Sequence, residues 1–114
     1  MTDTLTPIAV ERELARLIAA AEQLAHDVAI TAETAARAEH AYKAGHAKAY
    51  LRADGPVAER EAKALLAVDE LHLDYKIGQA RLLAAQEAGR ACRSSLDALR
   101  SVNATVRRAA GLDF

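Results

Sequence analysis

Asp54-Gly55-Pro56 is the one strong helix break in the interior of this chain, and it decides the fold. Glycine adopts the left-handed conformation that ends many helices, and proline fits the first turn of the next helix. The only other proline, Pro7, follows Thr6, a residue type that caps helix N-termini. These signals predict a first arm over about 7–53, a turn at 54–56 and a second arm over about 57–110, within one domain spanning 1–114.

Apolar and small residues recur in both arms at alternating steps of three and four, which is typical of coiled-coil packing. This seam consists of Leu14, Leu17, Ala21, Leu24, Val28, Thr31, Ala35, Ala38, Tyr42, Gly45 and Ala49 in the first arm, and of Ala64, Val68, Leu71, Tyr75, Gly78, Leu82, Ala85, Gly89, Cys92, Leu96, Leu99, Asn103 and Val106 in the second. The sequence therefore predicts an all-α fold: a long antiparallel helical hairpin that packs like a coiled coil.

The predicted core is thin, because the chain is 52% hydrophobic but has one Phe and no Trp. Large apolar residues also lie beside the seam, which makes the stripe wider than a two-helix contact buries. These residues are Ile18, Leu65, Leu66, Leu73, Ile77 and Leu83. Copies of the chain are the most economical cover, so the sequence predicts a homo-oligomeric helical bundle or ring.

Charge alternates along the chain in four blocks although the net charge is only −1. Residues 1–35 carry six acids and two bases, 36–53 one acid and four bases, 54–75 six acids and two bases, and 76–114 three acids and seven bases. An antiparallel hairpin places each acidic block against a basic one. Folding the arms about Gly55 predicts that Tyr75 lies near Ala35 and Val68 near Tyr42.

Two basic clusters are candidates for nucleic-acid binding. Lys43, His46 and Tyr50 share one face of the first arm, with Lys48 and Arg52 close by in sequence. A ring that stacks on a base beside cations that hold phosphates is a common arrangement for binding single strands. The second cluster, Arg93, Arg100 and Arg107, repeats every seven residues and predicts a phosphate-binding flank.

The alternative for both clusters is pairing with acids within the hairpin. Glu11, Glu13 and Glu22 are expected near the arginine flank, and Glu59, Glu61 and Asp69 across from the first cluster. In that case the charges fix the register of the two arms, and few unpaired charges are left to bind a ligand.

No pattern for catalysis or metal binding is present in the sequence. Asp69 and His72 are three residues apart, but nothing completes a metal site around them. The chain has no Gly-rich phosphate loop and no nucleophile elbow, so we expect no enzyme activity, cofactor or metal. We expect Cys92 to be a small buried residue.

No apolar run approaches the roughly 20 residues that span a bilayer, and the N-terminus lacks the pattern of a secretory signal. The sequence therefore predicts a cytoplasmic protein that does not bind membranes.

Two stretches carry a resemblance to a known family. They are Tyr42-Lys43-Ala44-Gly45-His46-Ala47-Lys48-Ala49-Tyr50-Leu51-Arg52-Ala53, continuing through Gly55-Pro56 to Ala64, and Ser95-Leu96-Asp97-Ala98-Leu99-Arg100-Ser101-Val102-Asn103-Ala104-Thr105-Val106-Arg107. Together they cover about a third of the chain and resemble the UvsY-like recombination mediators of phages.

The resemblance implies an oligomeric, non-enzymatic accessory protein. Such a protein binds single-stranded DNA, displaces or remodels a single-strand-binding protein and helps to load a recombinase. By this resemblance Lys43, Lys48 and Arg52 contact DNA, and the residues that join subunits are Leu96, Leu99, Val102 and Val106. The alternatives are a helical structural or interaction protein without DNA affinity, such as a phage assembly factor, and a helical inhibitor of a host enzyme.

Overall fold

The computed structural model describes residues 6–111 and confirms the all-α helical hairpin. Three helices follow one another: α1 (Pro7–Arg52), α2 (Val57–Ala67) and α3 (Asp69–Ala109). Helix α1 forms the first arm, and α2 with α3 forms the second. No strand occurs within residues 6–111.

The helix ends follow the local signals in the sequence. The Thr6 hydroxyl accepts a hydrogen bond from the Ala9 N–H at 3.1 Å, which caps α1. At the turn, Gly55 has φ of 108°, a conformation that side chains with a Cβ rarely adopt. The chain leaves α3 through Gly111, which also has a positive φ and donates its N–H to the Arg108 carbonyl at 3.1 Å.

The second arm has a break at Val68 that the sequence pattern did not predict. Val68 has φ of −111° and ψ of 20°, well away from helical values. Hydrogen bonds still bridge the break, from the Val68 N–H to the Ala64 carbonyl at 3.2 Å and from the His72 N–H to the Val68 carbonyl at 2.8 Å. A β-branched residue at the break and two acids after it, Asp69 and Glu70, favour a new helix start.

The contacts divide the chain into two compact units, each with antiparallel parts of both arms. The terminal unit contains the described residues up to Asp27 and those from Gln86 onward, and the turn unit is Val28–Ala85. The interpretation of 1–114 as a single domain stays a prediction.

Two glycines allow the two arms to pack closely in the turn unit. A Cβ built on Gly78 would lie 3.2 Å from the Ala35 Cα, so the two backbones approach closely at that point. Gly45 accommodates Leu71 and Val68, whose side-chain carbons would lie 2.9 and 3.3 Å from an added Cβ. The observed register therefore differs by three positions from the predicted one, which placed Tyr75 near Ala35 and Val68 near Tyr42.

The terminal unit is held by contacts between the start of α1 and the end of α3. Cys92 is buried, as predicted, and its thiol lies 3.5 Å from the Leu17 carbonyl oxygen as a weak donor. Arg107 Nη1 contacts Glu11 Oε1 at 3.1 Å, which joins the two arms.

The predicted seam is confirmed, since every seam residue in both arms is buried or half-buried. The core is nevertheless small. Its buried apolar residues are Val10, Ala35, Ala64, Val68, Cys92 and Leu96. The six large residues predicted to lie beside the seam are all exposed, and Ile8, Ile30, Leu51 and Val57 join them.

Candidate nucleic-acid interface

The first basic cluster lies on the last turns of α1, in the turn unit. His46 Nε2 lies 3.1 Å from Glu61 Oε1, across the hairpin. Lys43 Nζ lies 3.6 Å from Glu39 Oε1, one helical turn earlier. Tyr50 is half-buried on the face that these two residues share. On this face, the cations that would accompany an aromatic ring already have acidic neighbours.

Lys48 and Arg52 occupy a different face of α1. They are four residues apart and both are exposed. Lys48 follows Lys43 by five residues, which is about 140° around a helix with 3.6 residues per turn. Neither residue has an ion pair within the described part of the chain. The structure thus separates the unpaired cations from Tyr50, although all five residues are close in sequence.

The second basic cluster lies on one flank of α3, in the terminal unit. Arg107 pairs with Glu11 on α1, as the pairing alternative predicted for this acid. Arg100 Nη1 lies 3.5 Å from Asp97 Oδ1, three residues earlier on the same helix. Arg93 is exposed and has no ion pair with any residue between 6 and 111.

Glu13, which was expected near this arginine flank, pairs with Arg16 on its own helix, with Arg16 Nε 2.9 Å from Glu13 Oε2. That hydrogen bond lowers the pKa of the Glu13 carboxyl and raises that of the Arg16 guanidinium. Both groups are exposed, so this pair contributes little to stability.

A cluster of aromatic and histidine side chains joins the arms of the turn unit. The Tyr42 and Tyr75 rings are stacked, with centroids 5.5 Å apart and planes at 21°. The His72 ring lies 4.9 Å from that of Tyr42. The heptad pattern predicted both tyrosines on the seam but did not predict the cluster, because the predicted register set the two rings apart. Two of the three tyrosines therefore pack between the arms of the hairpin.

Tyr75 has a raised pKa because its hydroxyl donates to the Glu39 carboxylate, and ionisation would place two negative groups together. Its oxygen also accepts a hydrogen bond from Gln79 Nε2 at 3.1 Å. Since the pKa in the folded chain exceeds the unfolded value of about 10, this contact stabilises the fold below that pH. The contribution is lost as the pH rises through the folded pKa.

We therefore predict that raising the pH from 8 to about 11 destabilises the wild type more than Tyr75→Phe. Both proteins lose the same lysine charges, so the difference between them isolates Tyr75. Urea unfolding at the two pH values measures it, and an equal loss in both proteins would contradict the role given to the Glu39 contact.

The predicted subunit contacts are largely occupied within the chain. Leu96 is buried, and Leu99, Val102 and Val106 are half-buried. Val106 also lines a shallow hollow with Pro7 at the start of α1. The assignment of these four residues to subunit contacts stays a prediction.

Within residues 6–111, two buried side-chain atoms have no hydrogen-bond partner: Nε of Arg60 and Oδ1 of Asn103. Asn103 occupies a seam position. A polar residue at such a position disfavours other registers at some cost in stability.

Within residues 6–111, no group of three or more His, Cys, Asp or Glu side chains is arranged to hold a metal ion. In the same part of the chain, no helix combines the length and the apolar character needed to cross a bilayer. Comparison of the chain with protein-family models, curated proteins and solved structures gave no match.

Proposed function

We propose that this chain acts by assembly: it is a non-enzymatic helical interaction protein that forms a homo-oligomer through apolar side chains that its own hairpin leaves exposed. The observation that carries the proposal is that few apolar residues are buried and more are exposed. Among residues 6–111, six apolar residues are buried, and of these Val10, Val68 and Leu96 are large aliphatic residues. Ten large hydrophobic residues in the same range are exposed.

Size-exclusion chromatography with light scattering tests this proposal. At micromolar concentration we expect a mass of two or more times the 12.2 kDa of one chain. A monomeric mass across the whole accessible concentration range would reject it.

Binding of single-stranded DNA is a second candidate function, favoured by Lys48, Arg52 and Arg93, which are exposed and have no ion pair among the described residues. Assembly would repeat these cations, and repeated cations bind backbone phosphates whatever the base sequence. Partnership with a recombinase and a single-strand-binding protein rests on the resemblance to UvsY-like mediators.

For this candidate we predict that Lys48→Ala/Arg52→Ala weakens binding of an oligonucleotide. The plot of log affinity against log salt has a negative slope. Each lost phosphate contact reduces the magnitude of that slope by about 0.7, so the loss of two contacts reduces it by about 1.4. Fluorescence anisotropy at low and physiological salt measures both affinity and slope.

The matched control is Lys43→Ala/His46→Ala, which removes two residues from the same helix that already lie beside acids. We expect this variant to bind nearly as well as the wild type. The site assignment fails if the control loses more affinity than the first variant. Absence of binding at low salt would reject the candidate function.

A further inference from the structure

Helix α3 carries a second apolar stripe on the face opposite the seam. We call Leu73, Ile77, Ala80 and Ala84 the outer stripe. They recur at steps of four, three and four, so they share one side of the helix, and all four are exposed. They lie within the turn unit. A helix with two apolar sides needs a second partner besides the other arm of its own hairpin.

Charged residues of opposite sign border this stripe. Asp74 and Arg81 lie seven residues apart on the same edge, and neither forms an ion pair within the described residues. With Ile77 and Gly78 they line a hollow of about 350 Å³ beside Thr34 and Ala38 of α1. The border is thus acidic towards the start of α3 and basic further along it.

We propose that a second copy of the chain packs its outer stripe on this one, antiparallel, about a two-fold axis that passes between residues 78 and 79. In this arrangement Ile77 packs on the partner's Ala80, and Leu73 packs on the partner's Ala84. Each contact occurs twice by symmetry. Large side chains therefore meet small ones in every layer.

The charges favour the same arrangement over the other simple one. In the antiparallel pair Asp74 lies beside the partner's Arg81, again twice, and both residues gain the ion pair that they lack within the chain. A parallel pair in register would instead bring the opposite edge of the partner helix beside this one, so that Asp74 lies near the partner's Asp69 and Arg81 near the partner's Lys76, with like charges together. A surface that is complementary to itself in both size and sign fits a second copy of this chain better than an unrelated helix.

This inference rests on the proposed function, because it names the surface through which copies assemble. Two charge variants test it: Asp74→Arg gives the edge two positive groups, and Arg81→Asp gives it two negative groups. Each variant alone places like charges together at both contacts, so we expect about tenfold weaker self-association. In an equimolar mixture each mixed pair restores two attractive contacts.

Analytical ultracentrifugation with one variant carrying a fluorescent label measures both cases. The expected result is weak association of either variant alone and association at least as tight as the wild type in the mixture. A mixture no tighter than the separate variants would overturn the antiparallel pairing.

Ile77→Glu tests the apolar contact, with Ile30→Glu as its matched control. The two isoleucines have similar exposure, 40% and 51%, and both belong to the turn unit, but Ile30 is on α1 and is not part of the outer stripe. We expect Ile77→Glu to lower the mass in solution while Ile30→Glu keeps it, with helix content unchanged in both by circular dichroism.

The result for Ile77→Glu distinguishes failure of this surface from failure of the proposed function. If Ile77→Glu keeps the wild-type mass, the copies assemble through another surface and this inference is wrong, whereas assembly itself stands. If the wild type is already monomeric, both are rejected.

Discussion

Gly78→Leu should lower the free energy of unfolding by about 3 kcal/mol, at the upper end of the usual cost of overpacking. The reason is the contact with α1, because even a single added Cβ would lie 3.2 Å from the Ala35 Cα. Backbone atoms cannot rotate away as a flexible side chain does, so the arms of the turn unit must separate to admit a leucine. Urea unfolding followed by circular dichroism measures the loss.

Gly89→Ala is the control for this prediction. An added Cβ at Gly89 meets nothing within 4 Å, and alanine has higher helix propensity than glycine in a helix interior. We therefore expect a gain of roughly 0.8–1 kcal/mol. Gly78→Ala should gain less than Gly89→Ala, because the contact with Ala35 offsets the propensity. Equal gains at both positions would show that the arms do not approach closely at Gly78.

Leu96→Ala should cost about 2–3 kcal/mol, the lower part of the range for a buried leucine. Leu96 is 6% exposed and is one of the few large side chains that the described part of the terminal unit buries. With so small a core, this loss is a large fraction of the total stability. The measurement is again urea unfolding, at a fixed protein concentration because assembly contributes to stability.

Leu51→Ala provides the comparison, since Leu51 is 82% exposed on α1. Its substitution should change the free energy of unfolding by less than about 0.5 kcal/mol. If Leu96→Ala lowers the mass in solution but leaves the stability unchanged, Leu96 joins subunits, as the UvsY-like resemblance implies, instead of stabilising the hairpin.

The helices and their buried faces could be predicted from the sequence because local signals determine them. Thr6 and Gly55 act on their own backbone, and each has the predicted effect. The seam could be predicted because a residue's position in the heptad fixes which side of the helix it occupies. That reasoning needs no knowledge of the partner helix.

The axial register could not be predicted in the same way. A heptad pattern is satisfied by several offsets between two arms, and close contacts at small residues select one of them. Here Gly78 lies against Ala35, and Gly45 lies against Val68. The resulting shift of three positions brings Tyr42 and Tyr75 together, which the predicted register did not.

The candidate site was predicted only in part. Which side chains pair depends on that register and on whether each cation pairs across the hairpin or along its own helix. The sequence showed that acids could pair with the basic clusters, but not which cations would be paired. His46 and Arg107 pair across the hairpin, whereas Lys43 and Arg100 pair along their own helices. The cations left without an ion pair among the described residues, including Lys48 and Arg93, could be identified only from the structure.

The most direct test of the central claim, that this hairpin requires copies of itself to cover its apolar surface, is its melting temperature as a function of protein concentration. Binding of copies to the folded chain stabilises it by mass action, so we expect the melting temperature to rise as concentration increases from about 1 to 100 μM. A cooperative transition at the same temperature throughout, from a protein of monomeric mass, would contradict the claim.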